Sequence, residues 1–126
     1  MIDENVQHLL READTLLISA EEEMSRPSGD VHSFFICNHI KLSITKYLQA
    51  FVQAYGLHPP LHPTPDNLYR MCLSIDPRFS QLDFSPLACS HEKSNNNYCL
   101  EIAHLQECLD LAETTKTLVF DQISFK

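Results

Sequence analysis

The fold is decided by residues 31–55, which read VHSFFICNHIKLSITKYLQAFVQAY. Apolar side chains recur in this stretch at steps of three and four, the spacing of a helix face turned to a core: Cys37, Ile40, Ile44, Leu48, Phe51 and Tyr55. Phe35 and Leu42 fall on roughly the opposite side at 100° per residue. We therefore predict a long helix that is apolar on two faces. It should lie centrally, or serve a partner as well as its own core.

Two further helices flank this segment. Asp30 is a suitable N-cap for it and Gly56 a suitable residue to end it. Residues 3–25 carry their own apolar stripe at helical spacing, and a break containing proline and glycine follows at 26–30. The stripe comprises Ile2, Val6, Leu9, Ala13, Leu16, Leu17, Ala20 and Met24.

The second half of the chain predicts one short helix and one long helix. Residues 58–63 form a proline-rich, extended connector, and Thr64 followed by proline then begins a short helix. Residues 77–82 suit a further helical turn, 83–97 are irregular, and 98–122 predict the last long helix. The whole, residues 1–126, is predicted as a single all-α domain. Its architecture is an up-down bundle of three long helices and one or two short ones.

Composition narrows the class of protein. Nine basic and 17 acidic residues give a net charge of −8, which argues against a broad nucleic-acid-binding surface. No apolar run is long enough to cross a membrane, and the acidic N-terminus does not resemble a signal peptide, so we expect a cytoplasmic protein. The five cysteines are irregularly spaced, which indicates reduced thiols that fill small apolar sites.

The helix over 39–51 resembles the signature helix of the HEPN domain family. Lys46, Tyr47, Leu48 and Ala50 match its Glu-Lys-Tyr-Leu-Lys-Ala-type segment, while Thr45 and Gln49 depart from it. The opening of the third helix, Thr64-Pro65-Asp66-Asn67-Leu68, is similar to the family's polar start there, and Ala103 and Leu111-Ala112-Glu113 are similar to its last helix. The resemblance spans about residues 5–122 and implies an HEPN-like all-α bundle.

The resemblance implies several functions, according to branch. Some HEPN proteins resemble metal-independent ribonucleases, with an arginine and a histidine separated by four to six residues at the start of the last helix, paired across a homodimer. Others are inactive partners of a minimal nucleotidyltransferase in a toxin–antitoxin-like pair, and others are linked to nucleotide binding. This chain has no arginine after Arg78, so none precedes His91 or His104 at that distance. We therefore predict the non-catalytic branch: a homodimeric interaction module that binds a protein partner or a nucleotide.

A divergent ribonuclease is the alternative. It would use His91 or His104 to move a proton, with Lys93 as the cation beside the phosphate. Lys93 follows His91 instead of preceding it and lacks the two-pronged donor geometry of arginine, which argues against this alternative. Only in that case is RNA an expected partner. For His104, the competing interpretation is a residue at the edge of the core or of a dimer interface.

Metal sites receive little support from the sequence, and no metal or cofactor is predicted. Cys89, His91, Cys99 and His104 have the wrong spacing for zinc fingers. His58 and His62 flank a proline pair and are more often solvated than ligating. Glu101-Ile102-Ala103-His104 is a single Glu-x-x-His motif, whereas a di-iron bundle needs two.

A candidate ligand-binding face lies on the second helix. His39 and Lys46 are close in angle, beside Phe35, Leu42 and Gln53. Such a mixed face suits a phosphate-bearing ligand, although the commoner use is packing against another helix. We expect the homodimer to form through the last helix and the second helix.

Overall fold

A computed structural model describes residues 4–26, 33–84 and 102–124, with side chains for all of these except 33, 34, 102–104 and 124. Every regular element in the described ranges is helical, which confirms the all-α prediction. The four α-helices are α1 (Glu4–Met24), α2 (Ser33–Ala54), α3 (Pro65–Ile75) and α4 (Ile102–Ser124), and a 3₁₀ helix follows α3 at Pro77–Gln81.

Helix α2 lies at the centre of the bundle. It packs against α1, α3 and α4, whereas α1 and α4 touch each other in few places. Its buried side chains cover most of its circumference, beyond the single predicted stripe: Ile36, Cys37, Ile40, Ser43, Ile44, Tyr47, Leu48, Ala50, Phe51 and Val52. Phe35 and Leu42 stay exposed on the remaining face, so the two-faced character predicted for this helix is confirmed.

Helix α1 runs antiparallel to α2. The Ser43 hydroxyl donates to the Ala13 carbonyl oxygen at 2.8 Å, and Lys46 Nζ lies 3.3 Å from a Glu12 carboxylate oxygen. The predicted stripe is confirmed at Val6, Ala13, Leu17 and Ala20, but the buried set also includes Leu10.

Local capping signals fix α3. The Thr64 side chain accepts from the Asn67 backbone N–H, and the Asn67 side chain accepts from the Thr64 backbone N–H, so a complete capping box precedes Pro65. At its other end the Asp76 carboxylate accepts from Arg78 N–H, and the 3₁₀ helix begins there. The predicted further turn is confirmed, with Phe79 and Leu82 buried.

The connector between α2 and α3 is held at its first end by Gly56. This residue has φ +81°. Its N–H donates to the Gln53 carbonyl oxygen, and the Leu57 N–H donates to the Val52 carbonyl oxygen at 3.1 Å. That pair of bonds ends α2 in a left-handed cap, which favours glycine. The predicted role of Gly56 is therefore confirmed, whereas the predicted cap Asp30 lies outside the described residues.

Helix α4 returns alongside α2 and runs parallel to it. The centroids of the Tyr47 and Phe120 rings lie 6.3 Å apart. Nearer the start of both helices, the Cys37 thiol lies close to the Cys108 thiol. The helix extends two residues beyond its predicted end at 122, while predicted positions 98–101 lie outside the described residues, as does the predicted irregular segment from 85 onward. Leu118 and Ile123 are among its buried side chains.

The central position of α2 makes a stability prediction. Ile44 is fully buried, so Ile44→Ala should lower the free energy of unfolding by about 2–5 kcal/mol, because a cavity remains. The matched control is Leu61→Ala, which removes as many carbons from a side chain that is 90% exposed, and it should cost less than about 0.5 kcal/mol. Urea denaturation measures both. Similar losses in the two variants would contradict the packing described.

Candidate interaction surface

Two exposed apolar side chains of α2 mark the outer surface of the α1–α2 pair. Among described residues, Phe35 and Leu42 are two of the five large exposed hydrophobic side chains, and they lie two turns apart on one stripe of the helix. Leu42 also lines a groove with residues of α1. We call this surface the outer α1/α2 face; it comprises His8, Arg11, Thr15 and Leu16 on α1 and Phe35, His39, Leu42 and Lys46 on α2.

A shallow groove of about 370 Å³ runs along this face between the two helices. Its middle is apolar, with Leu16 and Leu42 facing each other across the groove. Its end near the start of α1 is charged, lined by His8, Arg11 and Lys46 together with Glu12. In a chain with a net charge of −8, the two cations Arg11 and Lys46 outnumber the one carboxylate at this end of the groove, so it is locally basic.

Glu12 holds the two helices together at the basic end. One of its carboxylate oxygens lies 2.7 Å from His8 Nε2 and the other lies 3.3 Å from Lys46 Nζ. The carboxylate is therefore shared between its own helix and α2, and it limits the rotamers available to Lys46. Within the described ranges, Arg11 and Glu22 take part in no ion pair of this kind.

The predicted ligand residues His39 and Lys46 lie on the same exposed stripe of α2, as the sequence predicted. The His39 ring stacks on the Phe35 ring, with centroids 3.9 Å apart and planes tilted by 23°. Its Nδ1 lies 2.9 Å from the Phe35 carbonyl oxygen. This nitrogen is thus engaged by its own helix, and the stacked pair forms a flat aromatic platform at the end of the face away from Lys46.

Gln53, which the sequence grouped with these residues, serves a different surface. It lines a separate hollow of about 390 Å³ with Asn5, Gly56 and the start of the connector. Since α2 is about 10 Å long between residues 46 and 53, Gln53 lies beyond the groove. His39 and Lys46 are therefore brought together with Leu42 and Phe35, but without Gln53.

A polar cluster joins the three long helices behind this face. The buried Tyr47 hydroxyl donates to Asp14, and Lys116 Nζ lies 3.3 Å from the same carboxylate oxygen. Lys116 also lies 5.9 Å from the centroid of the Phe120 ring. Burial, and then the hydrogen bond to Asp14, raise the pKa of Tyr47, so its phenol stays protonated. Its role is to satisfy Asp14 at the junction of α1, α2 and α4.

Three of the five cysteines are described, and all three are buried, as predicted. Burial raises the pKa of the Cys72 and Cys108 thiols to about 12 and that of Cys37 above its usual value. Because the thiolate is the reactive form, these sulfurs act as small apolar side chains. In the described part of the chain no three His, Cys, Asp or Glu side chains converge on a metal-sized site, so His58 and His62 gain no third ligand there.

The residues of the ribonuclease alternative lie outside the described side chains. This applies to His91, Lys93 and His104, and also to the Cys89, Cys99 and Glu101 positions weighed for metal binding. Their geometry therefore adds nothing for or against those predictions.

Sequence reasoning missed the α1 half of the outer face. His8, Arg11 and Thr15 follow one another at steps of three and four on the side of α1 away from its core. A stripe of this composition reads as an ordinary solvated helix face. Only the packing of α2 alongside shows that these residues share a groove with Leu42 and Lys46.

Comparison with known proteins yields no matching family model, no matching curated protein and no matching solved structure. Across the described residues, none of the helices combines the length and the apolar character that a membrane crossing requires.

The buried phenol gives a second prediction. Tyr47→Phe should lower the free energy of unfolding by about 1–3 kcal/mol, because Asp14 loses a donor at a helix junction. The control is Tyr69→Phe, which removes the same hydroxyl from a half-buried ring with no such bond, and it should have little effect. Thermal unfolding by circular dichroism compares the two. Equal losses of stability in the two variants would show that the hydrogen bond from Tyr47 to Asp14 does not stabilise the fold.

A carboxyl pair between α1 and α4 gives a prediction about pH. A hydrogen bond with Glu113, then burial, raise the pKa of Glu21 above its ordinary 4.5. A raised folded-state pKa contributes stability that is complete below the unfolded value and is lost as pH rises through the folded value. In Glu21→Gln the side-chain amide can donate a hydrogen bond to Glu113 at every pH. The free energy of unfolding of this variant, relative to wild type, should therefore increase from pH 4 to pH 8.

Asp121→Asn is the control for this comparison, since it also removes one exposed carboxylate and lies outside the Glu21–Glu113 pair. Urea denaturation at several pH values measures both differences. A difference for Glu21→Gln that stays constant with pH would contradict the hydrogen bond between Glu21 and Glu113.

Proposed function

We propose that this chain is a non-catalytic, HEPN-like interaction module that works as a homodimer, with the outer α1/α2 face as the surface through which the copies meet. The observation that carries this proposal is the pair Phe35 and Leu42, which are 41% and 42% exposed on one stripe of α2, beside the groove that Leu42 shares with Leu16 of α1. Contiguous exposed apolar surface of this kind marks association sites in globular proteins.

The position of the surface differs from the sequence-based expectation in one respect. That expectation used the last helix together with α2. In the described part of α4, the outward residues are polar, among them Gln106, Asp110, Thr114 and Asp121, and none of the large exposed hydrophobics lies there. The apolar surface of α2 at Leu42 continues instead onto α1 through Leu16 across the groove, so α1 is the better second half of the interface.

A second copy is the occupant that we propose. The groove carries both signs of charge, from Arg11, Lys46 and Glu12, beside the apolar side chains of Leu16 and Leu42. A face that holds cations, a carboxylate and apolar side chains together can complement the same face of a second copy.

The resemblance to HEPN proteins supports a module that pairs with protein, and the absence of an arginine after Arg78 supports its non-catalytic branch. A nucleotidyltransferase-type partner or a nucleotide is the further binding expectation that goes with this resemblance. His39 and Lys46 on the outer face are the residues for it, since they place an imidazole stacked on Phe35 and an ammonium on the same stripe. A nucleotide would therefore compete with the second copy for this face.

The test is the oligomeric state of the wild-type chain and of Leu42→Glu. We expect a dimer by light scattering at micromolar concentration, and a monomer for the variant, because a buried unpaired charge at the centre of an interface is strongly unfavourable. The matched control is Leu61→Glu, which puts the same charge on the even more exposed leucine of the connector and should leave the dimer intact. Circular dichroism checks that both variants stay folded.

A monomeric wild type, or a dimer that Leu42→Glu leaves unchanged, would refute the proposal. If only Leu61→Glu dissociates the dimer, the interface lies at the connector and not on the outer α1/α2 face.

A further inference from the structure

We infer that the groove of the outer α1/α2 face binds a small amphipathic carboxylate, with the Arg11 guanidinium at the carboxylate and Leu16 and Leu42 along an aliphatic chain. The inference goes beyond the proposed function, because the groove lies within one copy and is present whether or not two copies pair. Its grounds are the balance of charge at the basic end of the groove and the order of side chains along it.

The charges at the basic end leave one cation uncompensated. The carboxylate oxygens of Glu12 lie 2.7 Å from His8 Nε2 and 3.3 Å from Lys46 Nζ, so Lys46 offsets the negative charge of Glu12. Arg11 lines the same end of the groove and forms no ion pair within the described ranges. In a chain with a net charge of −8, Arg11 is therefore the cation that an anionic ligand meets in this groove.

The residue type at this position favours a carboxylate. A guanidinium holds its N–H donors in a flat fork, which matches the two oxygens of a carboxylate in a two-pronged hydrogen bond. Arg11 is exposed on α1, so the fork can reach a ligand without leaving a protein partner. A carboxylate also carries a single charge, whereas a phosphate monoester carries nearly two at neutral pH. The single charge is the closer match to one uncompensated arginine.

The middle of the groove suits an aliphatic chain. Leu16 and Leu42 line it together, and Leu42 is 42% exposed. Arg11 and Leu16 are five residues apart on α1, which separates them by about 7 Å along the helix axis. A chain of medium length on a carboxylate held by Arg11 therefore reaches both leucines. The groove volume of about 370 Å³ lies at the small end of the range for ligand pockets, which favours a small ligand.

Such a ligand excludes a second copy from the same surface. The proposed homodimer covers Leu42, and an aliphatic chain in the groove covers the same side chain. Because a ligand that binds one state draws the equilibrium toward that state, a bound carboxylate should convert dimer to monomer. The groove thereby gives association of this chain a dependence on small amphipathic anions.

Octanoate is the probe, and an NMR titration of the isotope-labelled chain measures its binding. We expect saturable shifts of the amides that line the groove. Octanol, which lacks the charge, and acetate, which lacks the chain, should each bind at least about tenfold more weakly. Arg11→Gln should weaken octanoate binding at least about tenfold, because it removes both the charge and the fork. The matched control is Arg70→Gln on α3, where the arginine is 77% exposed and pairs with Asp66 at 3.1 Å, and it should leave binding unchanged.

Three results would overturn the inference. They are no binding of octanoate at millimolar concentration, binding of octanol as tight as that of octanoate, and equal effects of Arg11→Gln and Arg70→Gln. Circular dichroism establishes that both variants keep the α-helical fold.

Light scattering with and without saturating octanoate separates this inference from the proposed function. If octanoate binds through Arg11 while a wild-type dimer persists, the ligand site is supported and the dimer uses another surface. If octanoate binds and the wild type is monomeric without it, the ligand site is again supported and the homodimer is refuted. A dimer that Leu42→Glu dissociates, in a chain that does not bind octanoate, supports the proposed function and refutes the ligand site.

Discussion

The burial of α2 is the constraint on which the rest of the structure depends. Three helices pack against it, so apolar side chains must cover most of its circumference, and any polar group on it needs a partner within the bundle. Ser43 and Tyr47 are the polar residues so placed, and both are satisfied by α1, through the Ala13 carbonyl and the Asp14 carboxylate. These bonds set the height of α1 against α2. The same helix thereby determines the core, the helix register and the relative positions of the exposed residues on the outer face.

How much was predictable from the sequence depends on how local the responsible interaction is. The limits of α3 were predicted closely, because Thr64, Pro65 and Asp76 set them through bonds to neighbours in sequence. The exposed second face of α2 followed from the angular positions of Phe35 and Leu42 alone. Leu10 was missed, because the apolar stripe of α1 is broad and only the position of α2 decides which of its edges is buried. Gln53 was grouped with Lys46 by angle, although the length of the helix places it at another hollow.

The polar residues of α1 point in two directions, some toward the polar cluster at α4 and others toward the exposed side of the helix. Asp14 and Glu21 point toward α4, where they meet Lys116 and Glu113, and contribute to the cohesion of one copy. Arg11 and Glu22 point away from the bundle, and Glu12 lies between the two sets as the link to Lys46. Substitutions one residue apart on α1 therefore change different surroundings, the contact with α4 in one case and the exposed side of the helix in the other.

The order in which the helices follow one another has a consequence for how the protein assembles. Helices α1 and α2 are neighbours in sequence and pack extensively, whereas α4 reaches α2 only after some fifty intervening residues. Closing the connection between α1 and α2 costs less chain entropy than closing the long one. Every residue of the outer face belongs to these two helices, so the face is encoded in the first 54 residues of the chain.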